Sequence, residues 1–186
     1  MKRGQHHNQT YVASWTSVRM LLTLATVHKW HTTQIDYVLA YPQAPVEREI
    51  YMELPKGLDY EGGVSRKTHV LKLVRNLYGQ KQAGRVWNQY LVDKLVNEVG
   101  FKQSEVDECV FYKGNVMYVL YTDDSILAGP NKDEVDAVIK QIKRANLDIT
   151  EEGDIKDFLG VNIRWHSPFY SAPLDSEDTP SHSHGR

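Results

Sequence analysis

Residues Val116 to Gly129 constrain the fold more than any other stretch of the chain. An apolar run, Val116-Met117-Tyr118-Val119-Leu120-Tyr121, leads into Thr122-Asp123-Asp124, and a second, Ser125-Ile126-Leu127-Ala128-Gly129, leads out. Two strand-length apolar runs so close together read as a β-hairpin, and arms this apolar belong in a core. A turn selected for stability alone would carry Asn-Gly or Asp-Gly. Here two carboxylates occupy the tight turn, where like charges repel and burial removes their solvation. A divalent cation reverses both costs, because hard oxygen ligands suit Mg2+. A solvated turn is the competing reading, since adjacent acids also occur at Asp107-Glu108, Asp133-Glu134 and Glu151-Glu152.

A third acid bears on that choice. Asp36 lies in Gln34-Ile35-Asp36-Tyr37-Val38, at the end of a strand-like run from Thr33 to Val38. If this strand pairs with Val116–Tyr121, three carboxylates meet at one end of a sheet, an arrangement suited to two cations about 4 Å apart. Alternatively, Asp36 opens a turn or caps a local group. Further along, Leu77-Tyr78-Gly79-Gln80-Lys81-Gln82-Ala83-Gly84-Arg85 precedes a strong helical pattern and supplies close-approach glycines, two cations and a helix N-terminus. An ordinary loop and cap accounts for it equally well.

The remaining elements follow from periodicity. Ser14 to Trp30 reads as a helix capped by Ser17, with Val18, Leu21, Leu22, Ala25 and His28 on one face. Ile50–Leu54 and Thr68–Val74 read as strands, and Pro55-Lys56-Gly57 as a turn. A helix from Ala83 to Val99 is built on Trp87, Tyr90, Leu91, Leu95 and Val99, with Gly100 as its stop. Cys109–Lys113 joins Val116–Tyr121 through Gly114-Asn115. Asn131 caps a helix whose Val135, Val138, Ile139 and Ile142 form one face, and Phe158–Trp165 is a last strand. Strands and helices that mix without alternating argue for an α+β fold, an antiparallel sheet with helices packed on one face.

Charge and composition bound the function. The net charge of −2 counts against a general nucleic-acid grip, but Arg66, Lys67, Lys72, Arg75, Lys81 and Arg85 form a strip without acids. That strip is either a phosphate footprint or a solvated face. No apolar run approaches the roughly 20 residues of a membrane span. The start, Met1-Lys2-Arg3-Gly4-Gln5-His6-His7, lacks a secretory apolar stretch, and the single Cys109 suits a reducing compartment. The expected location is therefore cytoplasmic or nuclear, not secreted. Length suggests one domain over 14–165. Residues 1–13 are expected to be disordered or a remnant, and the Ser/His/Pro-rich residues 166–186 a disordered tail.

Several separated segments resemble the reverse transcriptase of copia-type retrotransposons. Gln34-Ile35-Asp36 through Tyr41, and Val46 through Gly57, are similar to its first part. Leu71-Lys72-Leu73, Leu77-Tyr78-Gly79, Lys81-Gln82-Ala83 and Arg85-Val86-Trp87 resemble its next block. Tyr121-Thr122-Asp123-Asp124 resembles its Tyr-x-Asp-Asp box, and Phe158-Leu159-Gly160 the block after that, so the likeness covers roughly residues 10 to 165. Pro42, Gln80 and Gly84 depart from the family pattern, and Gly84 is expected to loosen the helix start.

The resemblance implies a polymerase palm with Asp36, Asp123 and Asp124 as catalytic carboxylates around Mg2+, or Mn2+ in its place. Asp36 and Asp123 would be direct metal ligands, Asp124 would engage more weakly, and the Tyr37 carbonyl would add an oxygen. Tyr41 would block a ribose 2′-hydroxyl, and Gln82 would contact the nucleotide or template. Lys81, Arg85, Phe158, Leu159 and Gly160 would face nucleic acid. The implied partners are an RNA or DNA primer-template and deoxynucleoside triphosphates. The expected fingers and thumb are incomplete, since the family places a basic region before residue 10 and more chain beyond Trp165. Two other functions remain open: a catalytically inactive retroelement remnant, and a small RNA-binding α+β module using Tyr51, Tyr112 and Tyr118 as a stacking platform.

Overall fold

In the computed structural model, residues 12–57, 62–158 and 161–163 are described. Residues up to Ile155 form one compact unit, and the chain from Lys156 a second.

The first unit is built on a sheet of six strands in the order β4-β5-β6-β7-β1-β8. These are β1 (His31–Tyr37), β4 (Lys102–Gln103), β5 (Val110–Lys113), β6 (Val116–Tyr121), β7 (Asp124–Gly129) and β8 (Ile149–Gly153). Every neighbouring pair is antiparallel. The predicted β6–β7 hairpin forms, but its turn is Thr122-Asp123, because Tyr121 pairs with Asp124 and brings the second acid into the strand. β1 pairs with β7, not with β6 as the sequence reading supposed. The reason is that a strand has two edges, and those of β6 are filled by β5 and β7. The outer edge of β1 is covered by β8, a strand the sequence analysis lacks. Its residues Ile149-Thr150-Glu151-Glu152-Gly153 bury only the first, so it carries the polar pattern of a sheet edge.

Both faces of the sheet are covered. Successive residues of β6 and β7 are buried along nearly their whole length, which a sheet with one wet face does not allow. One face carries α3 (Ala83–Asp93) and α4 (Lys132–Arg144). Trp87 of α3 meets Tyr37 edge-on at 5.2 Å, and Val135 of α4 lies against Gly129. The other face presents Met117, Val119, Ile126 and Ala128, all buried. The remaining long helix, α1 (Trp15–His28), contacts β6 and β7 and covers it with Val18, Leu21 and Ala25. Helices on one face only is thus corrected: an apolar alternate row on β6 and β7 had to be buried as well.

Local chemistry explains the helix ends. Ser14, not Ser17, caps α1, its hydroxyl accepting from the Ser17 N–H at 3.1 Å. Ser17 is buried instead and donates to Asp107 at 2.6 Å, which also accepts from the Ser14 N–H, so one acid of an ordinary-looking doublet ties α1 to the loop before β5. The predicted long helix runs as α3 followed by a π-helical segment, Lys94–Val99, and stops at Gly100 in the left-handed region. Gly84 does not delay α3, which starts at Ala83. Asn131 caps α4 as predicted, with Glu134 as its reciprocal partner through side chains. The Glu134 N–H donates to the Asn131 side-chain oxygen at 2.9 Å, and the Asn131 side-chain NH2 donates to the Glu134 carboxylate at 2.7 Å.

A separate two-stranded ribbon pairs β2 (Pro45–Glu53) with β3 (Val70–Arg75), and a short α2 (Ala40–Gln43) links β1 to it. In the second unit, β9 (Asp157–Phe158) pairs with β10 (Val161–Asn162), and residues 159, 160, 164 and 165 of the expected strand Phe158–Trp165 lie outside the described residues. Residues 1–11 and 164–186, which hold most of the expected N-terminal remnant and the tail, lie outside the described residues. No described helix is long and apolar enough to cross a membrane.

Removing the α4 cap with Asn131→Ala should cost about 1 kcal/mol, lowering Tm by roughly 2–4 °C. Thermal unfolding followed by circular dichroism measures this, and an unchanged Tm would show that the cap contributes nothing.

Candidate active site

The register of β1 on β7 sets Asp36 directly opposite Asp124. Directly opposite residues project from the same face with Cα atoms roughly 4.5–5.5 Å apart, so two carboxylates emerge side by side. Asp123 follows in the turn that joins β6 to β7. Its carbonyl accepts from the Tyr37 N–H at 3.2 Å, which locks the turn to the end of β1. All three acids are partly exposed. Burial and then the charge of Asp123 raise the pKa of Asp36. Asp124 is pushed up to about 6, first by burial and then by Asp123, Asp36 and Glu152. None of these influences comes from a cation. The donors are all hard oxygens and mutually repelling, which fits a divalent ion in kind. Among the described residues no cluster of three or more His, Cys, Asp or Glu side chains stands ready-made around a metal position, so the carboxylates would have to turn toward one another to share one.

Beneath the acids runs a buried chain of hydroxyls. Tyr37 Oη and Tyr118 Oη are 2.9 Å apart, and Tyr118 Oη and Ser125 Oγ 2.7 Å. Burial raises both tyrosine pKa values, so these hydroxyls stay protonated and act as spacers between β1, β6 and β7. Trp87 Nε1 donates to the Thr122 carbonyl at 3.2 Å, reaching the turn from α3. In the sequence Tyr118 reads as a strand residue or one of three stacking tyrosines, and Trp87 as part of a helix face and of the block that resembles the family. Their hydrogen bonds depend on partners distant in the chain.

Tyr41 lies in α2, and its ring packs on Tyr78 with centroids 4.5 Å apart. Burial and then the charge of Asp123 raise the Tyr78 pKa. The pair is held by Asn76, whose buried amide donates to the carbonyls of Ala44 at 3.1 Å and Pro45 at 2.7 Å. Tyr78 is a residue the sequence reading quoted without a role. Gln82 is the N-cap residue of α3 but makes no capping bond with its side chain.

The basic strip is largely occupied by β2. Arg66 pairs with Glu53, Lys72 with Glu49, and Arg85 with Glu47, while Arg75 donates to the Gln43 carbonyl. The strip had no acids in sequence, but folding laid an acidic strand beside it. Lys81 is exposed. Phe158 is buried, so its ring is not presented as a surface contact, and Leu159 and Gly160 lie outside the described residues. A cleft of about 660 Å3, lined by Trp15, Met20, Asp107 and Tyr121 among others, contains none of the three acids.

With this geometry in view, comparison with known proteins assigns the family. The family described as reverse transcriptase (RNA-dependent DNA polymerase) matches residues 3–173, and the chain belongs to it. It is 31% identical over 169 residues to a retrovirus-related Pol polyprotein from transposon TNT 1-94 of Nicotiana tabacum, covering 87% of this chain and 12% of that protein. A Transposon Ty1-BL Gag-Pol polyprotein of Saccharomyces cerevisiae is 29% identical over 155 residues, covering 80% of this chain and 8% of the polyprotein. These relatives support the copia-type resemblance. The chain spans only a small part of each.

The raised Asp124 pKa makes stability depend on pH. A folded chain that holds this proton to about 6, against an ordinary 3.8, binds more protons than the unfolded chain between those values. The resulting stability is full below the ordinary pKa and is lost as pH rises through about 6. In metal-free buffer, Asp124→Asn should therefore raise Tm at neutral pH, with a gain that fades toward pH ~4. A gain of equal size across that range would show that ionisation of Asp124 is not its source.

Proposed function

We propose that this chain carries the nucleotidyl-transfer centre of a retrotransposon reverse transcriptase. In this reading its sheet is a polymerase palm that adds deoxynucleotides to a primer 3′-hydroxyl on an RNA or DNA template. The supporting observation is the pairing of Asp36 with Asp124 beside the Asp123 turn, a concentration of carboxylate charge that raises the pKa values of Asp36 and Asp124. Mg2+ ions, or Mn2+ in their stead, would be held by Asp36 and Asp123 with the Tyr37 carbonyl and more weakly by Asp124, supplying a lower hydroxyl pKa and charge neutralisation as pyrophosphate leaves. The Tyr37 N–H points to Asp123, and in an antiparallel pair a residue's N–H and C=O share an edge, which favours that carbonyl as a ligand.

The other roles are those the family resemblance implies. Tyr41, braced by Tyr78, would exclude a ribose 2′-hydroxyl by contact. Gln82 would offer its amide to the nucleotide or template, and Lys81 its charge to a phosphate. Arg85 would reach nucleic acid only by exchanging its pairing with Glu47. By the same resemblance, Phe158, Leu159 and Gly160 would support the primer terminus. An RNA-binding module built on tyrosines is disfavoured, because Tyr118 is fully buried and Tyr51 belongs to the separate β2–β3 ribbon. A catalytically inactive remnant would share this fold, and activity alone separates it.

Primer extension by the 186-residue chain with Mg2+ or Mn2+ is expected to fall at least about a hundredfold in Asp123→Asn. Equal signals from the two proteins would mean that the chain contributes no polymerase activity.

A further inference from the structure

Thr122 occupies the left-handed region with φ 60°, at the turn that presents Asp123. A β-branched residue is disfavoured there by contact between its Cβ and the backbone, so the turn relaxes unless its surroundings hold it. Two hydrogen bonds do so. One, from the Tyr37 N–H to the Asp123 carbonyl, continues the β1–β7 ladder. The other comes from outside the sheet: the indole N–H of Trp87 donates to the Thr122 carbonyl itself, at 3.2 Å.

Trp87 is built to make that bond. The residue is 1% exposed, and a buried indole N–H is costly without an acceptor. Tyr37 stands edge-on to the ring at 5.2 Å, and Tyr90 lies at 6.2 Å, so the direction of the N–H is fixed by packing. The residue sits in the second turn of α3, the helix whose start holds Gln82 and Arg85. A rigid helix thus connects the turn to the segment assigned to nucleotide and template.

From this we infer that the indole N–H of Trp87 is a positioning group, holding the Thr122-Asp123 turn in its left-handed conformation and so fixing the direction in which the Asp123 carboxylate leaves the sheet. The tether rests on geometry alone. Its consequence for a cation rests on the polymerase reading.

Two variants test it in the full chain. Trp87→Phe keeps an aromatic ring against Tyr37 and removes the donor, while Thr122→Gly removes the conformational penalty the donor offsets. Mn2+ is the probe, titrated by electron paramagnetic resonance, with circular dichroism confirming the folded fraction. Trp87→Phe should weaken Mn2+ binding about five- to tenfold, the loss of roughly one hydrogen bond, and adding Thr122→Gly should recover most of it. In 15N-tryptophan protein, the Trp87 indole N–H should exchange slowly with solvent, and its resonance is assigned by its disappearance in Trp87→Phe.

An indole N–H that exchanges as fast as an exposed one overturns the tether. Equal Mn2+ affinity in native and Trp87→Phe proteins, or a loss that Thr122→Gly fails to recover, overturns the positioning role in favour of plain packing. If the native chain binds no Mn2+, the metal reading of the carboxylates fails while the slow exchange still reports the tether.

Discussion

The pairing of β1 with β7 is the interaction on which the rest of this structure depends. It joins a strand from the first part of the chain to the hairpin near its middle, and its last rungs set Asp36 against Asp124 and Tyr37 against the Asp123 carbonyl. Sheet pairing here forces together like charges that would separate in water. The hydrogen bonds of the ladder and the apolar rows behind it supply the opposing free energy, with buried Ile35, Ile126 and Leu127 in adjoining rungs. Repulsion is tolerated at one end of the sheet because the remainder is a conventional core.

The layer beneath the acids is as specific as the acids themselves. Tyr37, Tyr118 and Ser125 satisfy one another inside the sheet–helix interface, where an unpaired hydroxyl would be costly. Trp87 extends that layer to the turn. Such networks give a single spacing to the strands they join, since partial satisfaction is worse than an apolar core. The carboxylates are thus carried on rigid elements, with α2 and the Tyr78 loop beside them clamped by Asn76.

Much of the fold was legible because its signals are local. The apolar arms around Thr122-Asp123-Asp124, the Asn131–Glu134 cap, the Gly100 stop and the amphipathic faces of α1, α3 and α4 each depend on residues a few positions apart. What escaped was of two kinds. β8 is an edge strand with a single buried residue, so it lacks the alternation that marks a half-buried strand. The basic strip looked free because its partners Glu47, Glu49 and Glu53 lie in another segment, brought alongside only by the β2–β3 ribbon and the packing of α3.

By itself the sequence determined which residues are candidates for the chemistry: three aspartates at the ends of apolar strands and an aromatic-rich block before a helix, in an order that marks the reverse transcriptase family. Tertiary structure decided how they meet. It chose β7 over β6 as the partner of β1, because β6 had no free edge, and so moved Asp124 out of the turn and into register with Asp36. It also drew Trp87 to Thr122 and Tyr78 to Tyr41, contacts that no local pattern encodes, because they arise only once separate elements share a core.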